Sequence, residues 1–216
     1  MDNQTQLPVL TAEEQRVLGS LIEKSKTTPD YYPMTLNALT AACNQKTSRN
    51  PVVEYDEESV VLALNSLKGQ SLVATAVGGG SRTQKYKHNI ATVFELDAAE
   101  LVVLCLLLLR GPLTAGEINS NSGRLYEFTS LEDVYAVLNK LASGDTPFVK
   151  ELSRRPGQKE TRYMHLLGGE ISESENPLPE EAARKTVNSL ESRLAAVERE
   201  LAEVKENLNK LIKELT

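Results

Sequence analysis

The stretch "LTAEEQRVLGSL", residues 10–21, returns 86 positions later as "LDAAELVVLCLL", residues 96–107. Leu10, Ala12, Glu14, Val17, Leu18 and Leu21 match Leu96, Ala98, Glu100, Val103, Leu104 and Leu107. The likeness continues downstream. "PMTLNAL" (33–39) corresponds to "PLTAGEI" (112–118), and "ESVVLALNSL" (58–67) to "EDVYAVLNKL" (132–141). Last, "GGGSRTQKYKH" (78–88) corresponds to "RPGQKETRYMH" (155–165). The offset drifts between 86 and 74, and the drift falls in loops. A match kept through successive elements marks an internal duplication.

Each copy reads as the same series of elements. Thr11 and Asp97, each with a glutamate shortly after, are helix N-caps. Thr35 and Thr114 cap a second helix. Val60, Val61, Leu64 and Leu67 lie on one face of a third helix, and Val134, Val137, Leu138 and Leu141 repeat that face. Two short strands follow, 71–77 and 83–88 in one copy and 147–153 and 160–165 in the other. They are joined across Gly78-Gly79-Gly80 and Pro156-Gly157. Three helices and a hairpin form the winged-helix arrangement of the helix-turn-helix class. The expected fold is mainly α with small β-hairpin wings, an α+β fold. It comprises two tandem winged-helix domains, 10–93 and 94–169, after an N-terminal tail, 1–9.

The run "LVVLCLLLL" (101–109) is apolar all round, unlike its counterpart with Glu13, Glu14, Gln15 and Arg16. Such a helix needs cover on every side. Either another domain or subunit buries it, or it is an ordinary Leu-rich core helix.

An acidic, Ser/Pro-rich linker occupies 170–185. After it, 186–216 reads as a coiled-coil helix. Leu190, Leu194, Val197, Leu201, Val204, Leu208, Leu211 and Leu215 step along a heptad seam. In a parallel dimer Arg193 meets Glu198 and Glu200 meets Lys205. The expectation is a homodimer through this helix, against the plainer reading of a helix folded back on its own domains.

Net charge is −6 and tryptophan is absent. That balance does not hold a chain on nucleic acid by bulk charge. Cys43 and Cys105 read as free thiols in a reducing compartment. The apolar run of nine residues is far short of the ~20 that a membrane helix needs, and no signal peptide is read. No membrane partner and a cytoplasmic location are expected.

The segments "LIEKSKTTPDYYPMTLNALTAACNQKTSRNPVV" (21–53), "LLLLRGPLTAGEI" (106–118), "RLYEF" (124–128) and "RYMHL" (162–166) together resemble the bacterial YceH family. The resemblance covers roughly residues 8–170. It implies tandem winged helices, a bacterial cytoplasmic setting and a variable C-terminal helical tail, and it supplies no catalytic residues.

No catalytic motif is found, so the chain is read as non-enzymatic, with no cofactor and no metal. Gly78-Gly79-Gly80 precedes a strand, not the helix N-terminus that cradles phosphate. His88 and His165 sit at equivalent wing positions and read as packing residues.

Nucleic acid is the remaining ligand class to weigh. A third helix that enters the major groove needs donors on its outer face. Here the third helices open with Asp56, Glu57 and Glu58, and with Glu132 and Asp133. Basic residues lie instead on the wings, at Arg82, Lys85 and Lys87 and at Lys150, Arg154, Arg155, Lys159 and Arg162. The connection "CNQKTSRNP" (43–51) adds Lys46 and Arg49. The candidate nucleic-acid contacts are Lys46, Arg49, Arg82, Lys85, Lys87, Arg154, Arg155, Lys159 and Arg162. Such residues grip phosphate and read little sequence. The same lysines and arginines would equally protect an exposed β-edge from pairing. Two functions stay open. One is a DNA-binding or transcription-regulating protein on double-stranded DNA, and the other is an adaptor that binds a protein partner.

Overall fold

Thr11 ends the extended chain and starts the first helix, α1 (Ala12–Thr27), through a capping box. The Glu14 amide donates to its hydroxyl, and the Thr11 amide donates to the Glu14 carboxylate at 2.8 Å. Asp97 and Glu100 build the same box at the head of α5 (Ala98–Arg110), again at 2.8 Å. The two helices occupy equivalent places in the duplication. The computed structural model describes residues 7–77, 83–144, 146–154 and 160–169. The described residues form one compact body, and the 93/94 junction falls inside it. The heptad segment 186–216, with Leu190 to Leu215, and the linker 170–185 lie outside the described residues.

The first half continues as β1 (Met34–Thr35), α2 (Leu36–Cys43), α3 (Glu57–Gly69), β2 (Val73–Val77) and β3 (Gln84–His88). A short helix, α4 (Ile90–Val93), leads to α5. The second half then runs α6 (Ala115–Ser122), α7 (Leu131–Ala142), β4 (Val149–Leu152) and β5 (Arg162–His165). Thr35 and Thr114 cap α2 and α6 as their spacing predicts. The fold is therefore a mixed α+β one with small antiparallel sheets.

The two halves repeat each other down to single hydrogen bonds. Val73 faces His88 across one hairpin and Val149 faces His165 across the other. The Leu72 amide donates to Leu67 at 2.9 Å, and the Phe148 amide to Leu141 at 2.8 Å. The Asn89 amide reaches Leu72 at 2.7 Å, and the Leu166 amide reaches Phe148 at 2.7 Å. Met34 pairs with Tyr86, and its counterpart Leu113 pairs with Tyr163.

The apolar run of α5 is buried on all sides because two cores share it. Leu101, Cys105, Leu108 and Leu109 join the core of the first half, with Leu18, Leu21, Ile22 and Leu64. Val102, Val103, Leu104, Leu106 and Leu107 join that of the second, with Ile118, Val134 and Leu138. This supports the first of the two sequence readings, a helix covered by a second body.

Against α5 lies α1, at a point where bulk is missing. A Cβ on Gly19 would stand 2.9 Å from Leu109 Cγ and Cδ2. The Cys105 thiol donates to the Gly19 carbonyl at 3.4 Å. Gly19 and Cys105 are equivalent positions of the duplication, and equivalent positions meet where two like surfaces face each other about a two-fold. Further links between the halves are the Asn50 amide to the Leu109 carbonyl at 2.8 Å and the Leu10 amide to Leu167 at 2.7 Å.

Candidate functional site

The connection between α2 and α3 is held from inside. Asn44, which ends α2, clasps Tyr55 twice: its amide donates to the Tyr55 carbonyl at 2.7 Å, and the Tyr55 amide donates back at 2.8 Å. Arg49 turns inward. Its guanidinium forks onto both carboxylate oxygens of Glu23, at 3.0 and 2.7 Å, and also donates to the Ala42 carbonyl and to Gln45. The Arg49 side chain is 0% exposed. Burial alone would raise the Glu23 pKa, but the bonds and charge of Arg49 and Lys24 outweigh it and hold the carboxyl below its usual value. Arg16, also buried, donates to the carbonyls of Cys43 and Pro51.

Arg49 is thus corrected as a nucleic-acid candidate: its donors are committed to the fold, and none faces a polyanion. Sequence reasoning missed the partner. Glu23 and Arg49 stand 26 positions apart, and no local pattern pairs them. The one available signal was a charge, Glu23, where the duplicate has Leu109.

The other candidates fall in separate places. Lys46 is exposed at the tip of the α2–α3 connection, beside exposed Thr47. Lys85 and Lys87 share the face of β3 opposite buried Tyr86. Strand β3 is the middle strand of the first sheet, so Lys85, half-buried between Thr35 and Ala76, does not protect a free edge. Arg154 is exposed. Arg162 approaches Glu117 at 3.7 Å and is partly neutralised by it. Arg82, Arg155 and Lys159 lie outside the described residues.

The heads of both third helices are acidic and open to solvent, through Asp56, Glu57 and Glu58 on α3 and Glu132 and Asp133 on α7. These carboxylates suit a helix N-terminus. Asp56 accepts from the Ser59 amide at 2.8 Å, and bonds from Ser59 hold its pKa below the usual range. Next to them, Leu62 is 65% exposed. It rims a groove of about 280 Å³ between α1 and α3, together with Thr11, Glu13, Glu14, Ser59 and Ala63. On α7, Tyr135 and Leu131 are exposed at 38% and 37%.

The histidines do not reach a surface site. His165 is buried opposite Val149, and His88 Nε2 lies 3.3 Å from the Ser25 hydroxyl. Burial pushes both pKa values down to about 4, with Lys26 adding to the effect at His88. Tyr32 turns in and accepts from the His88 amide at 2.7 Å, whereas Tyr31 projects into solvent. Cys43 and Cys105 are buried free thiols, and burial raises the Cys43 pKa to about 11. Among the described residues no cluster of three or more His, Cys, Asp or Glu could hold a metal ion. No helix among them is long and apolar enough to cross a membrane.

A family model described as "Protein of unknown function, DUF480" matches residues 10–158, most of both halves. The chain belongs to the DUF480 family. A UPF0502 protein of Opitutus terrae is 47% identical over 193 residues, covering 88% of this chain and 84% of its own. One from Shewanella loihica is 42% identical over 214 residues, 94% of this chain and 98% of its own. Another, of Chromobacterium violaceum, is 44% identical over 196 residues, covering 91% and 87%. The DUF480 match takes in the Glu23–Arg49 pair, the α1–α5 seam and the acidic head of α3, and stops short of the heptad segment.

Proposed function

We propose that the chain is a non-enzymatic, YceH-type DUF480 protein that binds a protein partner in the cytoplasm. Each half is a winged helix, and the segment 186–216 pairs two copies through its heptad seam. The observation that carries this reading is the outer face of α3. Where a DNA reader needs base-edge donors, this face offers carboxylates at its head and an exposed Leu62 over a groove. A polyanion meets repulsion there. A protein segment with an apolar side chain flanked by Lys or Arg finds both an apolar seat and opposite charge. The test uses the full chain as bait, with partners identified by mass. Leu62→Glu should lose a partner that Lys85→Gln/Lys87→Gln keeps. A partner retained equally by the Leu62→Glu chain defeats the reading.

A second reading, contact with double-stranded DNA, is supported by Lys85 and Lys87 on one face of β3 and by exposed Lys46. With 4–6 phosphate contacts, affinity should fall with salt at a log–log slope of about −4 to −5. No binding to duplex at low salt removes it.

A further inference from the structure

A small cleft opens at the seam of the two halves, between the end of α1, the α2–α3 connection and the ends of α5 and α6. Its volume is about 60 Å³. That exceeds the ~10–15 Å³ a single water needs, so the cleft has room for a small polar group. Arg110, Arg124, Ser48, Thr27 and Glu23 stand on its polar side, and Leu106, Leu109 and Leu125 on its apolar side.

Charge here is out of balance. Glu23 is the one acid in the lining, and it is already held by Arg49 at 2.7 Å and Lys24 at 3.0 Å. Arg110 and Arg124 form no ion pair with any described residue, so the cleft carries surplus positive charge in a chain of net charge −6. Arg110 is the last residue of α5 and Arg124 lies just beyond α6, both at helix C-termini where a cation is favourable. Several carbonyls there already have other donors. Asn50 covers those of Leu109 and Arg110, Gly111 covers Leu107, and Leu125 and Tyr126 cover Ser122. Arg110 is half-buried and Arg124 exposed, both beside leucines, which strengthen a charge-assisted bond to an anion in the cleft.

We infer that this cleft binds a phosphate group, as the free ion or as the end of a small phosphorylated molecule, through Arg110 and Arg124. A duplex backbone does not enter a space of this size. The site stands apart from the proposed partner groove and survives its failure. Bound phosphate would also tie the second half, through both arginines, to Ser48 of the first.

The test is thermal unfolding of the full chain with inorganic phosphate, at ionic strength held constant with sodium chloride. A saturable rise in Tm is expected. Arg110→Gln/Arg124→Gln should weaken the apparent affinity about 10- to 100-fold, whereas Lys85→Gln/Lys87→Gln should respond as the parent does. In case the arginine variant folds poorly, the side-chain Nε–Hε resonances of Arg110 and Arg124 in the unaltered chain should shift on phosphate addition. Glycerol 3-phosphate forms a second arm: binding at least as tight as phosphate assigns a small phosphorylated ligand, and exclusion assigns the free ion. Equal stabilisation by chloride, unmoved arginine resonances or an unaltered response in the arginine variant overturns the inference.

Discussion

The two first helices of the duplication carry the same cap and the same apolar ladder, and then part. In α1, Arg16 and Glu23 are drawn inside; at the equivalent places α5 has Val102 and Leu109. The contrast follows from what each helix touches. The Arg16 and Glu23 side of α1 meets the α2–α3 connection, whose backbone carbonyls need donors, and Arg16 and Arg49 supply them. At Val102 and Leu109 α5 meets a core, so a charge there would lie buried without a partner. Duplication made two copies of one unit, and their packing on each other decided which copy could stay polar.

Four measurements would break or sharpen this contrast. The largest effect belongs to the Glu23–Arg49 pair. Arg49→Met leaves a half-satisfied carboxylate inside and should cost about 3–5 kcal/mol in denaturant unfolding. Adding Glu23→Leu, the residue of the second half, should restore most of that loss. A double variant no better than Arg49→Met would show that the polar clamp is not interchangeable with apolar packing.

Next comes the seam. Gly19→Val pushes a side chain into Leu109 and should cost about 1–3 kcal/mol. A variant as stable as the parent would mean that α1 and α5 can separate without loss.

Smaller for each histidine per pH unit, and shared by both halves, is the acid response of His88 and His165. Both stay neutral in the fold down to about pH 4, while the unfolded chain takes up protons below its ordinary pKa of about 6.5. The unfolded state then binds more protons, so stability falls as pH drops from about 6.5 towards 4, and is unaffected by these groups above that window. At its steepest the loss is about 1.4 kcal/mol per pH unit for each histidine. His165→Phe should remove its share, and an unchanged pH profile would deny the histidines this role.

The smallest effect is expected at Lys140, whose 61% exposed side chain joins exposed Asp97 at 3.0 Å and buried Glu100 at 2.9 Å in the second half. Lys140→Ala should cost about 1 kcal/mol, because water replaces the exposed ammonium. A cost near that of Arg49→Met would erase the distinction between an inner and an outer ion pair.

Much of the architecture was legible in the chain. The duplication, the caps at Thr11, Thr35, Asp97 and Thr114, the helix faces and the hairpins rest on local rules of spacing and turn chemistry. The structure places each within a few residues of its expected position. The shared burial of α5 was legible too, because an all-apolar helix states its own need for cover. The candidate surface was less so. Arg49 looked like a phosphate contact because an arginine in a polar loop has two fates, outward to a ligand or inward to a carboxylate, and spacing does not separate them. Lys85 looked like an edge residue because the hairpin hid β1, a two-residue strand too short to leave a pattern.

By itself, then, the sequence determined a unit written twice, the element order of each copy, an acidic head on both third helices and one helix too apolar to be exposed. These follow from interactions between neighbours three or four positions apart, which any reader of the chain can count. Only the tertiary structure decided that Gly19 meets Cys105, that Glu23 captures Arg49, and that Arg110 and Arg124, in no ion pair with a described residue, line one cleft. The first two join positions 86 and 26 residues apart. The Gly19–Cys105 contact exists because two similar halves packed first helix against first helix, a choice made by complementary surfaces rather than by any local run of residues.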